Sequence, residues 1–235
     1  MVYGVILAGG IGNRMGNVEK PKQFLLLGSK PILIHTIEKF FINDQFEKIL
    51  VLCPEAWVSY TRNLVEKYLG DTERIVVLQG GSTRNETIMN AIHYIDHEGN
   101  LDEKTIIVTH DAVRPFVTHR IIEENIRMTD KYGACDTVVS ATDTIVQSED
   151  NITITDIPDR SKLYQGQTPQ SFRAKKLLDL YENLTEEERD ILTDAAKIFS
   201  IRGEKVYLVK GEVYNIKITY PYDLKVAETL LKGCE

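Results

Sequence analysis

The stretch VYGVILAGGIGNRMG, residues 2–16, places a glycine-rich loop with Arg14 directly after an apolar run. A short apolar run without polar alternation is typical of a strand that is buried on both faces. Glycines let a ligand approach the backbone closely, and cations beside them favour an anionic ligand. Lys20 and Lys22 follow in the same loop. The stretch therefore predicts a buried parallel strand that leads into an anion-binding loop.

Apolar runs of two lengths alternate along the chain. The short β-branched runs predict strands, and the longer runs with apolar residues three and four positions apart predict helices. The predicted strands after the first are KILVLC, RIVVLQ, TIIVTH and DTVVSA, and the predicted helices are ILIHTIEKFF, WVSYTRNLVEKYL, ETIMNAIHYI and RIIEENIRMT. The alternation predicts an α/β fold with a Rossmann-like, mostly parallel sheet and helices on both faces.

The pattern changes after Ala141. The segment TDTIVQSEDNITITDIP has two β-prone stretches around a turn-like Glu149-Asp150-Asn151, which predicts a β-hairpin arm at about residues 142–166. Exposed strand edges favour pairing, so we expect the arm to contact a second copy of the chain in a homodimer.

The last part of the chain carries further helix and strand signals. Thr185 and Glu188 form a capping-box pattern that predicts one helix over EEERDILTDAAKIF. Strands are predicted near KVYLVK and at YNIKIT, and a last helix from Tyr222 to Lys232.

The bulk composition indicates one globular domain over residues 1–235, with 43% hydrophobic residues. A net charge of -7 and a pI near 5.4 argue against a broad basic surface that binds nucleic acid or an anionic membrane. The three cysteines have no metal-site spacing and favour a reducing compartment. The first residues lack a basic signal-peptide region and a run long enough to span a bilayer, so we expect a cytoplasmic protein.

The first loop differs from two familiar glycine motifs. A dinucleotide-binding fingerprint would have glycine at position 15, but Met15 stands there and the glycine follows at Gly16. An NAD-binding fold would also have an acidic residue at the end of the second strand, where this chain has Cys53 and Pro54. A phosphate loop is excluded because Asn17 and Val18 follow Gly16. The remaining interpretation of the first loop is a polyphosphate-binding site. The alternative is a glycine turn that binds nothing and whose cations are solvated.

Two further loops follow predicted strands at the same edge of the sheet. QGGSTRNET lies at the start of a predicted helix, so its amides and hydroxyls can bind an anion or form hydrogen bonds to a base and a ribose. Alternatively, the segment is a helix cap that binds no ligand. THDAVRP places Asp111 where Mg²⁺ can share it with substrate phosphates, with an ion pair to Arg114 as the alternative. We expect His110 to be a hydrogen-bonded structural residue.

Charged residues also mark two later segments. DIPDRSKLYQGQTPQ carries Asp159, Arg160 and Thr168. Lys217 stands between Ile216 and Ile218, so its side chain must either extend outward or enter a polar pocket, and we expect the pocket.

Taken together, these segments resemble the 2-C-methyl-D-erythritol 4-phosphate and ribitol 5-phosphate cytidylyltransferases. The resemblance covers about residues 3 to 230 and rests on LAGGIGNRMG with PKQF, GGSTRNET, HDAVRP, DR before TPQSF, TDAA, and NIKIT before PYDL, in that order. The segment DRSKLYQGQTPQSF is most similar to the sequences of the ribitol 5-phosphate branch.

The resemblance implies transfer of a cytidylyl group from CTP to a polyol phosphate, with Mg²⁺, in a homodimer. For the ribitol branch the product, CDP-ribitol, serves teichoic acid-type wall polymers. The implied catalytic cations are Arg14, Lys22, Arg160 and Lys217. The implied CTP contacts are Leu7, Ala8, Gly9, Gly10, Gly81, Ser82, Thr83, Arg84, Asn85, Glu86 and Thr87. The implied contacts to the second substrate are Asp111, Arg114, Thr144 and Thr168, and Asp111 is the implied Mg²⁺ ligand.

Some positions depart from the isoprenoid branch, namely Ser82, Thr87 and Val113, so the base and sugar contacts are less firmly implied than the cations. The same chemistry on 2-C-methyl-D-erythritol 4-phosphate is the nearest alternative. An NAD-dependent oxidoreductase and a noncatalytic nucleotide-binding module are alternatives from other classes.

Overall fold

A computed structural model of the protein describes residues 1–10, 20–70 and 73–233. Arg14 and Cys234 lie outside the described residues. The strands are β1 (Val2–Leu7), β2 (Leu26–Leu27), β3 (Lys30–Pro31), β4 (Lys48–Cys53), β5 (Ile75–Gln79), β6 (Ile106–Asp111), β7 (Ala134–Ser140), β8 (Tyr164–Arg173) and β9 (Tyr207–Lys210).

Seven of these strands form one sheet in the order β5-β4-β1-β6-β8-β7-β9, and β2 pairs with β3 separately. In the described part of the sheet, β8 runs antiparallel to its neighbours β6 and β7, and the other neighbouring strands are parallel. The predicted mostly parallel sheet is therefore confirmed.

Helices cover both faces of the sheet. They are α1 (Ile32–Phe41), α2 (Val58–Leu69), α3 (Arg84–His97), α4 (His119–Tyr132), α5 (Ala174–Glu182), α6 (Glu186–Asp190), α7 (Ala195–Ile201) and α8 (Pro221–Lys232). Proline is well suited to the first position of a helix, which accounts for the start of α8 at Pro221. None of the helices in the described ranges combines the length and apolar character that crossing a bilayer requires.

The core consists of two apolar layers, one on each face of the sheet. Successive residues of a strand point to opposite faces, so Val5 and Ile107 pack with α3, α5 and α7, whereas Ile6 and Val108 pack with α1, α2 and α4. All four of these side chains are fully buried. This double burial explains why the predicted strands show continuous apolar runs without polar alternation.

Two predictions about the C-terminal half are wrong. The segment YNIKIT is a loop rather than a strand, although Ile218 N donates to Val113 O at 2.9 Å. The predicted helix EEERDILTDAAKIF is two helices, because Asp194 accepts a hydrogen bond from Lys197 N at 3.0 Å and starts α7 afresh. The capping box of Thr185 and Glu188 at the start of α6 is confirmed.

The arm contains the predicted turn but not two regular strands. Its one β-bridge joins Gln147 to Asp156, and the Asp150 carboxylate closes the turn by accepting from Ile152 N and Thr153 N, both at 2.8 Å. Ile152 is 86% exposed. Association of the arm with a second copy stays a prediction.

Candidate active site

A cavity of about 410 Å³ opens at the carboxyl ends of β1 and β6, beside the start of α3. Ligands of open parallel sheets bind at this edge because the strand-to-helix loops converge there. The cavity is lined by Leu7, Ala8, Gly9, Gly10, Lys22, Gln23, Gly81, Ser82, Thr83, Arg84, Thr87, Asp111, Ala112, Val113 and Lys217. Segments predicted to meet at one edge of the sheet therefore do meet.

The chain returns to the end of β1 through a short 3-10 helix, Lys22–Phe24. Gln23 Nε2 donates to Ala8 O at 2.6 Å, and Phe24 stacks on Trp57 with ring centroids 4.9 Å apart. These contacts hold Lys22 against the cavity wall, where the side chain is largely buried. The segment PKQF was predicted to act only through the charge of Lys22, and the anchoring role of Gln23 was not predicted.

The loop before α3 is a capping box. Thr83 Oγ1 accepts from Glu86 N at 3.1 Å, and Glu86 Oε2 accepts from Thr83 N at 3.3 Å and also from Ser82 N at 2.8 Å. Thr87 Oγ1 accepts from Gly81 N at 3.0 Å and is 2.8 Å from Thr83 O. The helix-cap alternative is therefore present in the structure, although the same loop also lines the cavity.

Some residues of this loop pack against the start of α3, and others line the cavity. A Cβ atom on Gly81 would clash with Glu86 Cβ, so the tight approach requires glycine. Two of the predicted CTP contacts, Asn85 and Glu86, are not among the residues that line the cavity. Arg84 and Ser82 do line it, so the guanidinium and the hydroxyl are the side-chain groups that the loop offers to a ligand.

The Asp111 carboxylate is surrounded by cations. Lys217 Nζ lies 2.8 Å from Oδ2, and the Nε atoms of Arg114 and Arg84 lie 3.5 and 3.7 Å from Oδ2 and Oδ1. Burial raises the pKa of Asp111, but the charges of Arg84, Lys217 and Arg114 outweigh it and hold the pKa well below its usual range. The carboxylate is thus ionised, and the ion pair with Arg114, which was the alternative to a Mg²⁺ site, is present.

The charged side chains of the described cavity lining are Lys22, Arg84 and Lys217 against one carboxylate, Asp111. Three cations less one anion leave a formal charge of +2 in an otherwise acidic protein. A partly enclosed site of this charge favours an anionic ligand.

The cavity wall behind Asp111 contains a chain of buried hydrogen bonds. Asp111 N donates to Thr168 Oγ1 at 3.1 Å, Thr168 Oγ1 lies 2.9 Å from His110 Nδ1, and His110 Nε2 lies 3.0 Å from Arg114 O. Because Arg114 O can only accept, Nε2 carries the imidazole proton and the Thr168 hydroxyl donates to Nδ1. Burial lowers the pKa of His110 to about 4, which keeps the ring neutral. The predicted structural role of His110 fits these contacts.

Two residues that were predicted to contact the second substrate, Thr168 and Arg114, belong to this buried hydrogen-bond chain. Thr168 is buried with its hydroxyl engaged, and Arg114 is buried with Nη1 donating to Asn215 O at 2.7 Å. Neither residue lines the cavity. In a single chain, Thr168 contacts the backbone of Asp111 and Arg114 contacts its carboxylate, both on the side away from the cavity.

Lys217 reaches the cavity from a loop. Ile218 N is bonded to Val113 O, and Asp223 Oδ2 accepts from Thr219 N and Tyr220 N, both at 2.8 Å. These bonds fix the backbone beside Lys217, whose side chain is 40% exposed. The expectation that Lys217 enters a polar pocket fits this position.

Arg160 and Thr144 lie outside the cavity of this chain. Both are exposed residues of the arm, and Arg160 Nη1 donates to Thr142 O at 2.8 Å. One chain therefore does not bring these two predicted site residues to Lys217.

Mg²⁺ was predicted at Asp111, and the residues present fit that ion under one condition. No group of three or more His, Cys, Asp or Glu side chains occurs among the described residues at a metal-binding separation. Mg²⁺ is commonly bound by one or two carboxylates together with substrate phosphates and water. Asp111 fits such a site only when a phosphate ligand supplies further oxygens.

Comparisons with known proteins agree with this geometry. Residues 2–233 match the family described as 2-C-methyl-D-erythritol 4-phosphate cytidylyltransferase. The structure is similar to that enzyme from Francisella tularensis, with 30% identity, a TM-score of 0.79 and coverage of 97% of this chain and 98% of the other. It is similar also to 4-diphosphocytidyl-2C-methyl-D-erythritol synthase from Anaerococcus prevotii, with 26% identity, a TM-score of 0.79 and coverage of 98% and 96%. The chain therefore belongs to the 2-C-methyl-D-erythritol 4-phosphate cytidylyltransferase family and is a cytidylyltransferase.

Proposed function

We propose that the enzyme transfers the cytidylyl group of CTP to D-ribitol 5-phosphate, giving CDP-ribitol and pyrophosphate. The observation that carries the transfer is the cation-rich cavity around Asp111, since a triphosphate and a phosphate monoester must meet in one place. The choice of polyol rests on the wording DRSKLYQGQTPQSF, which is most similar to the ribitol branch. Supply of CDP-ribitol for a teichoic acid-type wall polymer is part of the same proposal.

In the proposed reaction, a phosphate oxygen of the polyol phosphate attacks the α-phosphorus of CTP. A new P–O bond forms, and the bond to the β-phosphate breaks to release pyrophosphate. Two unit charges 4 Å apart repel by about 4 kcal/mol at an effective dielectric constant of 20. Cations at the meeting point are therefore required. A general base is not, since a phosphate monoester is already largely ionised above a second pKa of about 6.

The cations of the cavity have complementary roles in this proposal. Lys22, with Arg14 from the first loop, stabilises the triphosphate and the departing pyrophosphate. Lys217 holds the attacking phosphate in line. Mg²⁺, when bound, neutralises phosphate charge, and Asp111 is the residue that would hold it.

A homodimer completes the site in this proposal. Arg160 and Thr144, which the family resemblance assigns to the polyol phosphate, are exposed on the arm and outside the cavity of their own chain. The arm also exposes Ile152 and Ile154, which favours burial against another protein surface. We therefore assign Arg160 and Thr144 to the cavity of the partner subunit.

A second candidate substrate is 2-C-methyl-D-erythritol 4-phosphate. The family description and the names of the similar solved enzymes favour it. Both candidates are five-carbon polyol phosphates, so the same cations would serve either one.

The test is pyrophosphate release from CTP and Mg²⁺ with each polyol phosphate separately. We expect turnover with ribitol 5-phosphate to exceed turnover with the erythritol compound by at least tenfold in kcat/KM. The reverse order would transfer the assignment to 2-C-methyl-D-erythritol 4-phosphate. Lys217→Ala should abolish most of the activity, and the exposed Lys39→Ala on α1 is the matched control.

A further inference from the structure

The asparagine of the segment NIKIT has no role in the proposed reaction, although it is fully buried. Asn215 lies two residues before Lys217. Asparagine in a loop often serves a left-handed backbone conformation, but among the described residues Asn151 is the only non-glycine residue with a positive φ. Because the backbone does not require asparagine at this position, the buried amide must be explained by the groups that it binds.

The side chain of Asn215 binds strand β8. Its Nδ2 donates to Thr168 O at 2.9 Å and to Gln167 Oε1 at 3.2 Å. Its Oδ1 has no hydrogen-bond partner in the described part of the chain, so the side chain acts through its two donated bonds. Gln167 Nε2 in turn donates to Glu212 O at 2.9 Å, and Asn215 N donates to the same oxygen at 3.0 Å. The two amide side chains therefore attach the turn from Glu212 to Asn215 to the strand.

The turn approaches β8 most closely at Gly211. A Cβ atom on this residue would clash with the amide oxygen of Gln167, so the approach requires glycine. Gly211 N also donates to Val138 O of β7 at 2.8 Å. The loop that carries Lys217 therefore begins at a fixed point of the sheet.

The main chain of Asn215 binds Arg114. Arg114 Nη1 donates to Asn215 O at 2.7 Å, and Arg114 Nε lies 3.5 Å from Asp111 Oδ2. Thr168, whose carbonyl accepts from the Asn215 amide, also accepts from Asp111 N through its hydroxyl at 3.1 Å. Both the main chain and the side chain of Asn215 thus bind residues that contact Asp111, which is the residue that Lys217 Nζ approaches at 2.8 Å.

The backbone of Lys217 is held on both sides by these contacts. Asn215 fixes the chain before it, and Ile218 N donates to Val113 O at 2.9 Å directly after it. The lysine side chain is a flexible four-carbon stem, so the position of its ammonium group depends on where the backbone places its first atoms. A fixed backbone at Lys217 therefore limits the region that Nζ can reach.

We propose that Asn215 is a positioning residue, whose buried amide and carbonyl hold the Lys217 backbone where Nζ reaches the attacking phosphate of the polyol phosphate. Asn215 does not line the cavity and acts through Lys217. The inference rests on the proposed function in one respect, namely that Lys217 binds the attacking phosphate. It applies to either of the two candidate polyol phosphates.

The test begins with Asn215→Leu, which removes the amide at similar size and adds no charge beside Lys217. We expect kcat/KM for the polyol phosphate that the wild type prefers to fall at least about tenfold, since a misplacement of about 1 Å can cost about 10²-fold. The Kd for CTP, measured by calorimetry, should stay nearly unchanged, because Lys217 is assigned to the other substrate.

Asn125→Leu on α4 is the matched control. Asn125 is also fully buried, and its Nδ2 also donates two bonds, to Ile121 O and Thr137 Oγ1, both at 2.9 Å. It does not line the cavity. We expect this substitution to lower Tm without lowering kcat/KM. Equal losses of kcat/KM in the two variants would refute a specific role of Asn215.

A double-mutant cycle with Lys217→Met separates positioning from a loss of stability. Asn215→Leu should lower Tm in both backgrounds. Once Lys217 has been replaced, however, it should lower the residual kcat/KM by less than about twofold, because the residue through which it acts is gone. Losses of kcat/KM that multiply in the double variant would refute action through Lys217.

Gln167→Met serves as a second variant in case Asn215→Leu does not fold. It removes one acceptor of the Asn215 amide and keeps the bond to Thr168 O. We expect kcat/KM for the polyol phosphate to fall by about threefold to tenfold, the effect of losing one hydrogen bond, with CTP binding retained. An unchanged kcat/KM overturns the positioning role alone. A wild type that releases no pyrophosphate with either polyol phosphate overturns the proposed function and this inference with it.

Discussion

Replacing Asp111 by Asn should destabilise the ligand-free protein. The substitution removes the one carboxylate among Lys217, Arg114 and Arg84 and leaves their charges facing each other. At 3.5 Å, the Arg114 contact alone corresponds to about 5 kcal/mol of gross Coulomb energy at an effective dielectric constant of 20. Much of this is offset, because Lys217 is 40% exposed and can move into water.

We expect a net loss of about 3 kcal/mol, near the lower end for breaking a buried ion pair. For a chain of this size, that corresponds to a fall in Tm of roughly 6–12 °C. The control is Asp130→Asn, which removes an exposed carboxylate 2.8 Å from Arg173 and should change stability by less than about 0.5 kcal/mol.

An anion should compensate for the missing carboxylate. Pyrophosphate without Mg²⁺ should therefore raise the Tm of Asp111→Asn more than that of the wild type in a differential scanning experiment. Stability should also depend on pH through Asp111. The pKa of Asp111 is depressed in the folded state, so its stabilisation is present above the unfolded value of about 3.9 and is lost as pH falls through the lower folded value. Equal Tm values for Asp111→Asn and the wild type, with equal responses to pyrophosphate, would refute this account of the site.

Further predictions concern other parts of the site and the arm. Lys22→Ala should lower kcat by about 10²-fold or more in a pyrophosphate-release assay, and an effect below tenfold would mean that its role is misassigned. Gly81→Ala should weaken CTP binding measured by calorimetry, because its Cβ would meet Glu86, and unchanged affinity would show that the loop adapts. Ile152→Asp on the arm should shift sedimentation towards the monomer and reduce activity with it, and an active monomer would contradict a shared site.

The repeating part of the fold was predictable because its physical cause is local. Strands such as β4 and β6 are buried on both faces, so their apolar runs stand out from the intervening amphipathic helices. β8 was missed because its buried stretch is polar. Ser171 Oγ donates to Asn125 Oδ1 at 3.0 Å, and Thr137 Oγ1 donates to Pro169 O at 2.6 Å. Hydrogen bonds to residues far along the chain replace apolar packing there, and no local pattern reveals them.

The site was predictable only as far as single loops allow. THDAVRP indicated Asp111 and Arg114 at a strand end, and these two residues do form an ion pair. The approach of Arg84 and Lys217 to the same carboxylate depends on how α3 and the loop before α8 pack, which no spacing encodes.

The neutral imidazole of His110 has a consequence for how this enzyme responds to acidity. Burial lowers the pKa of His110 to about 4, so the native ring stays predominantly neutral between pH 8 and pH 5. We therefore expect most of any catalytic loss in that range to come from the ligands or from other side chains. The unfolded chain, in contrast, binds a proton at this residue below about pH 6.5. Mild acid should therefore lower the free energy of unfolding through His110 without altering the chemistry of molecules that remain folded.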